Sequence, residues 1–189
     1  HETVSMYNEV LAKVRLKYPK VIDMTRYRIF DSNLIDFVSL PGYSIKTLPI
    51  TYEDPHNPGD IITTSLILIP KEGFYITSHQ FLQTENLSRT VDSPLVLITH
   101  GPGKIEGNAT PGMTFDGKDK GDPRIILLMH KANIHFAIVG HIHEAGGIAT
   151  MLNGTLIKPG EWTTEMMLNA GTLQNWRYND GKLRKAMFQ

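Results

Sequence analysis

Apolar residues along this chain fall into short runs whose spacing changes from helical to extended. Between Glu2 and Tyr18, the residues Val4, Tyr7, Leu11 and Val14 recur every three or four positions, which predicts an amphipathic helix. Thr3 or Ser5 would cap its start, and Pro19 stops it. Leu34 to Leu40 reads as a buried strand closed by the turn signal Pro41-Gly42. Residues 51–60 hold Asp54-Pro55, Asn57-Pro58 and Gly59-Asp60 and read as a loop. Ile61 to Ile69 is apolar and fits a helix or a strand equally. A short strand is expected at Phe74–Thr77, a helix from Ser78 toward Arg89, and a strand at Leu95–Thr99. Gly101 to Asp122 is a long, polar, glycine-rich loop, the kind of segment that usually carries function. A helix over Pro123–Asn133, with proline in its first turn, leads into the strand Ile134–Val139. The remainder is β-rich: Ile148–Leu152, Thr155–Ile157, Met166–Asn169 and Leu183–Phe188 are strand-like, with hairpin signals at Asn153-Gly154 and Asp180-Gly181. The pattern is α/β first and β-rich later, with no internal repeat, and predicts one domain over residues 1–189.

Composition narrows the chemistry. Hydrophobic residues make up 41% and charged residues 20% of 189 positions, an ordinary globular balance with enough chain for a core. The formal net charge of zero disfavours long polynucleotides and anionic membranes as partners, and leaves nucleic acid possible. A small phosphorylated substrate stays compatible, because a bound cation supplies positive charge locally. The absence of cysteine removes disulfides, zinc–thiolate sites and a thiol nucleophile. No apolar stretch reaches the roughly 18 residues that span a bilayer, and no basic-then-apolar leader opens the chain. A cytoplasmic location is the expectation. Asn86-Leu87-Ser88, Asn108-Ala109-Thr110 and Asn153-Gly154-Thr155 fit the glycosylation triplet, a pattern common by chance.

The chemistry-bearing residues stand at strand ends. Gly140-His141-Ile142-His143 directly follows the apolar run Ile134–Val139, and His100-Gly101 follows Leu95–Thr99. Imidazole is a good ligand for divalent transition metals. Two strands that each deliver histidine at the C-terminal end point to a metal site on the rim of a sheet.

In this order the motifs resemble the C-terminal two-thirds of a calcineurin-like metallophosphoesterase. That family carries an Asp-x-His, a Gly-Asp-x-x-Asp, a Gly-Asn-His-Glu/Asp, a lone strand-end His and a Gly-His-x-His. The last two are present as His100 and Gly140-His141-Ile142-His143, and the chain opens on His1-Glu2, the second half of the third. Leu168-Asn169-Ala170-Gly171-Thr172 is similar to the family's Asn-Pro-Gly stretch, with Ala170 in place of proline. The resemblance implies a four-layer α-β-β-α sandwich of two mixed sheets, with N-terminal strands missing from this chain. It implies a dinuclear centre of two divalent metal ions (Mn, Fe or Zn) that hydrolyses a phosphate mono- or diester. It assigns His100 and His141 to one metal, His143 to the other, and His1 to the transition-state or general-acid position. The remaining ligands would come from chain preceding His1. The 189-residue chain alone is therefore expected to bind metal weakly and turn over little, and its unpaired edge to favour aggregation or pairing.

The alternative is a non-catalytic protein-interaction scaffold of the same fold. A single-zinc metallo-β-lactamase-like site fails on sequence, because Glu144-Ala145-Gly146-Gly147 follows His143 where Asp-His is needed. Gly101-Pro102-Gly103-Lys104 is not a phosphate loop, since Ile105-Glu106 follows rather than a helix opened by Ser or Thr. Lys104, Asn108, Lys118 and Lys120 read as solvated loop residues with phosphate contact as the second reading. His56 reads as exposed, His79 as a helix-start residue, and His130 and His135 as structural residues flanking a helix end. Glu144 either orients a ligand or faces water.

Overall fold

The computed structural model describes residues 4–42, 47–54, 56–67, 76–171, 176–177 and 183–184. Its elements run α1 (Val4–Lys17), β1 (Ile29–Asp31), β2 (Asp36–Leu40), β3 (Thr47–Glu53), β4 (Ile61–Ile67), α2 (Ser78–Ser88), β5 (Leu95–Thr99), α3 (Pro123–Lys131), β6 (Phe136–Val139), β7 (Ala149–Thr150), β8 (Met166–Asn169), β9 (Trp176–Arg177) and β10 (Leu183–Arg184). The chain is α/β with a mixed six-stranded sheet in the order β1-β2-β5-β6-β8-β7. Strands β2, β5, β6 and β8 run parallel, and β1 and β7 close the edges antiparallel. β3 with β4, and β9 with β10, form separate two-stranded ladders.

Alternation along the strands divides the sheet into two faces. On one face Val38, Leu40, Leu95, Leu97, Ala137, Val139 and Met167 pack with Ile76, Ile125, Leu128 and Met129 into the core. The second face carries Phe37, Val96, Ile98, Phe136, Ile138, Met166 and Leu168, all half-buried. An apolar depression of about 200 Å³ on it is lined by Ile35, Phe136, Ile138 and Met166, among others.

The helices over the core have legible causes. Thr77 caps α2 through a capping box with Gln80, and His79 lies exposed in its first turn. Asp122 caps α3, Pro123 fits its first turn, and Arg124 pairs with Asp122 at 2.6 Å while lying over the Phe81 ring of α2.

Some expectations are corrected. Residues 51–53 belong to β3, which pairs with β4 from Ile61 on, so the loop is shorter than its Asp-Pro and Asn-Pro pairs suggested. Leu34 and Ile35 are exposed in the turn before β2, where Asn33 takes φ 68°. Thr155–Ile157 is not a strand, only a single bridge from Leu156 to Thr150. Helix α1 forms, but none of its residues is buried: Val4 is exposed, and Tyr7, Leu11 and Val14 are half-buried. The expected strand at Phe74–Thr77 lies partly outside the described residues, as do the Asp180-Gly181 hairpin signal and the end of Leu183–Phe188.

Candidate metal centre

All four parallel strands end at one edge of the sheet, at Leu40, Thr99, Val139 and Asn169. In parallel sheets this carboxyl edge is where ligands bind. The register of β5 on β6, with Ile98 opposite Ile138, carries on past the strands: the Gly140 N–H donates to the His100 carbonyl at 3.0 Å. His141 is the next residue.

His141 has φ 68°, and the Ile142 N–H donates back to the Gly140 carbonyl at 2.8 Å. These two facts define a γ-turn with His141 at its apex, a rare and strained conformation for a side-chain-bearing residue. The turn brings the His141 ring to His100. His141 Nδ1 lies 3.0 Å from His100 Nε2, with ring centroids 4.7 Å apart and planes tilted by 55°.

Immediately after, His143 opens a short 3-10 turn, His143–Ala145. The protein holds the His141 pKa below its ordinary value, first because burial penalises its charged form, then because of the charge on His143; Glu144 opposes both. The neutral imidazole, which carries the lone pair a cation needs, is thereby favoured. Glu144 is half-buried and its charge is felt at His141, which bears on the reading sequence left open.

Asn169, at the end of β8, is fully buried. Its Nδ2 donates to the Ile142 carbonyl and to the Pro111 carbonyl, each at 2.8 Å, and its Oδ1 accepts from the Gly171 N–H at 2.8 Å. One amide thus ties the histidine turn to the loop 101–122 and to the chain leaving β8.

One glycine of that loop, Gly121, serves backbone proximity. The stem at Pro102–Lys104 crosses the stem at Gly121–Asp122, with hydrogen bonds from Asp122 N–H to Pro102 O and from Lys104 N–H to Asp122 O. A Cβ on Gly121 would fall 2.3 Å from the Gly103 carbonyl oxygen, so no side chain fits there. Asp119 accepts from the Thr110 hydroxyl and from the Gly121 N–H, which pins the loop from inside.

Of the residues singled out by sequence, the structure brings His100 and His141 into contact and places His143 close enough for its charge to act on His141. His1 and Thr172 lie outside the described residues. His56, His79, His130 and His135 are exposed, as are Lys104, Asn108, Lys118 and Lys120. Among the described residues, no three His, Asp or Glu side chains are grouped to hold an ion between them. Sequence reasoning did not find the γ-turn, because nothing in the residue type of a histidine signals a positive φ. Nor did it give Asn169 a role, although Asn169 lies in the stretch that resembles Asn-Pro-Gly.

No protein-family profile and no curated protein matches the chain. A solved crystal structure does superpose on 96% of it, with a TM-score of 0.56 at 14% sequence identity. The match covers 60% of that other chain, so this chain spans about three-fifths of its length. At that identity the likeness is one of fold.

Proposed function

We propose that the chain carries part of a metal-dependent phosphoesterase centre, in which His100 and His141 hold one divalent cation and His143 a second. The observation that carries this reading is the His100–His141 pair. Two nitrogens each about 2.1 Å from one cation and at right angles lie about 3.0 Å apart. The separation between His100 Nε2 and His141 Nδ1 is 3.0 Å, so the two ring nitrogens suit one ion as well as one shared proton. Their position at the carboxyl edge of the parallel strands, and the depressed His141 pKa, support the same reading. When bound, two such cations neutralise phosphate oxygens and acidify an attacking water near neutral pH.

The chain's own residues set the frame for that chemistry. The γ-turn aims His141, Asn169 fixes the peptide after it, and the loop 101–122 borders the edge with Lys104, Lys118 and Lys120 exposed along it. Mn, Fe or Zn suits imidazole with carboxylate partners. The apolar second face of the sheet suits the four-layer sandwich, in which a second sheet would cover it. The same apolar, half-buried face favours the second reading, a protein-interaction scaffold, for the 189-residue chain by itself.

Hydrolysis of an aryl phosphate ester with Mn²⁺ tests the proposal. The 189-residue chain is expected to show little turnover. Its Mn²⁺-dependent turnover is expected to be lost on His141→Ala. A chain that shows no Mn²⁺-dependent turnover at all, or turnover that His141→Ala leaves unchanged, contradicts the proposal.

A further inference from the structure

Nothing in the residue pattern around the histidines explains how a strained turn keeps its shape at a solvent-facing edge. A γ-turn with positive φ at a histidine relaxes unless its surroundings over-determine it. On its N-terminal side, the Gly140 N–H is held by the His100 carbonyl at 3.0 Å. On its C-terminal side, the Ile142 carbonyl is held twice, by Asn169 Nδ2 at 2.8 Å and by the Ala145 N–H at 3.1 Å. The Ala145 bond lies within the same short turn and moves with it. Among the hydrogen bonds of the described residues, the one from Asn169 anchors the Ile142 carbonyl to a strand of the sheet.

The second proton of the same amide group reaches Pro111, on the loop 101–122, again at 2.8 Å. Asn169 itself is fixed by its buried position and by the Gly171 N–H on its Oδ1. A fully buried amide with each of these bonds satisfied resists rotation, because any other orientation strands polar atoms away from water. Asparagine is also the residue type that the arrangement demands. Aspartate would set an oxygen against two carbonyl oxygens, and an apolar isostere would leave both carbonyls without this donor.

We infer that Asn169 is the positioning residue of the metal centre: it locks the His141 turn and the loop 101–122 into one register, and so sets the His100–His141 pair. The inference rests on the metal-centre reading for its consequence, and on geometry alone for the lock. Asn169 acts through the Ile142 and Pro111 carbonyls.

Three chains test it: the parent, Asn169→Asp and Thr84→Val. Thr84, a residue of α2, is a buried polar control whose hydroxyl bonds to the Ser39 and Gln80 carbonyls and accepts from Arg28. Long-range proton–nitrogen correlation spectra of the imidazoles, in metal-free chain at neutral pH, report the coupling between His100 Nε2 and His141 Nδ1. Asn169→Asp is expected to abolish that coupling, and Thr84→Val to keep it at a comparable loss of melting temperature. Titration with Mn²⁺ is expected to show affinity about 10–100-fold weaker for Asn169→Asp, as for other residues that orient ligands, and parent-like for Thr84→Val. If Asn169→Asp does not fold, Asn169→Ser replaces it, with a hydroxyl too short to reach both carbonyls and the same expected loss. A folded Asn169 variant that keeps the coupled pair overturns the inference whatever its metal affinity. Should the parent bind no Mn²⁺, the metal-centre reading falls, and the imidazole spectra alone decide the role of Asn169.

Discussion

The strain at His141 can be weighed by substitution. A left-handed residue with a Cβ costs about 1–2 kcal/mol, part of which glycine recovers despite its greater freedom when unfolded. His141→Gly is therefore expected to melt higher than His141→Ala by about 1 kcal/mol of stability, while both lose the pairing with His100. Equal stabilities would mean that φ 68° is not strained in the folded chain. The same residue sets a pH dependence. Its folded pKa lies below the ordinary 6.5, so the unfolded chain takes up the proton first. Stability is full above that value and falls as pH drops below it toward the folded pKa. His141→Gln is expected to flatten the stability profile over that acid window in metal-free denaturant titrations. A second group acts in the same direction at lower pH, because its charged form is favoured in the fold. Asp23 is 2% exposed, and burial alone would raise its pKa, yet hydrogen bonds from Thr25 and Tyr7 lower it below 3.8. Its contribution is present above that value and is lost as pH falls through the folded pKa. Tyr7→Phe removes the 2.8 Å bond that ties α1 to this carboxylate. It is expected to cost about 1 kcal/mol near neutrality and to weaken the acid dependence below pH 4, both measurable by chemical denaturation.

Elements divide by how much of their cause is local. β5, β8, α2 and α3 were legible because their signals are: Leu95–Thr99 and Met166–Asn169 are bounded apolar runs, and Asp122-Pro123 opens α3. β1 has three residues and no alternation that stands out, and the β3–β4 ladder is fixed by cross-strand pairing that sequence spacing does not show. The strand ends delivered His100 and His141 to one edge as expected, but their contact depends on a turn conformation and a buried amide contributed by β8, which lies distant in sequence. The loop 101–122 was legible as a long polar loop, and the hydrogen bonds that join its two stems were not. Gly121 marks the close approach of those stems. Gly121→Ala, whose Cβ would meet the Gly103 carbonyl, is expected to cost about 1–3 kcal/mol in thermal unfolding, and an alanine tolerated without loss would show that the stems can part.

Across the whole molecule, one face of the sheet is packed and the other is apolar and half-open. A mostly parallel sheet is stable with both faces covered. The 189-residue chain alone is expected to associate as its concentration rises, in sedimentation or light scattering, and Ile138→Lys on the second face is expected to suppress this. A monodisperse monomer at every concentration would mean that the face is already covered. No helix among the described residues is long and apolar enough to cross a membrane. The largest question at this scale is whether the edge carrying His100 and His141 grips a cation at all. Mn²⁺ added far below the protein concentration answers it, since its paramagnetism broadens only nuclei near its site and reports weak binding as readily as tight. The imidazole signals of His100 and His141 are expected to vanish first, with His143 close behind, while exposed His56, His79 and His130 stay sharp. Uniform broadening of all these rings, or none at His100 and His141, would contradict a metal centre at this edge.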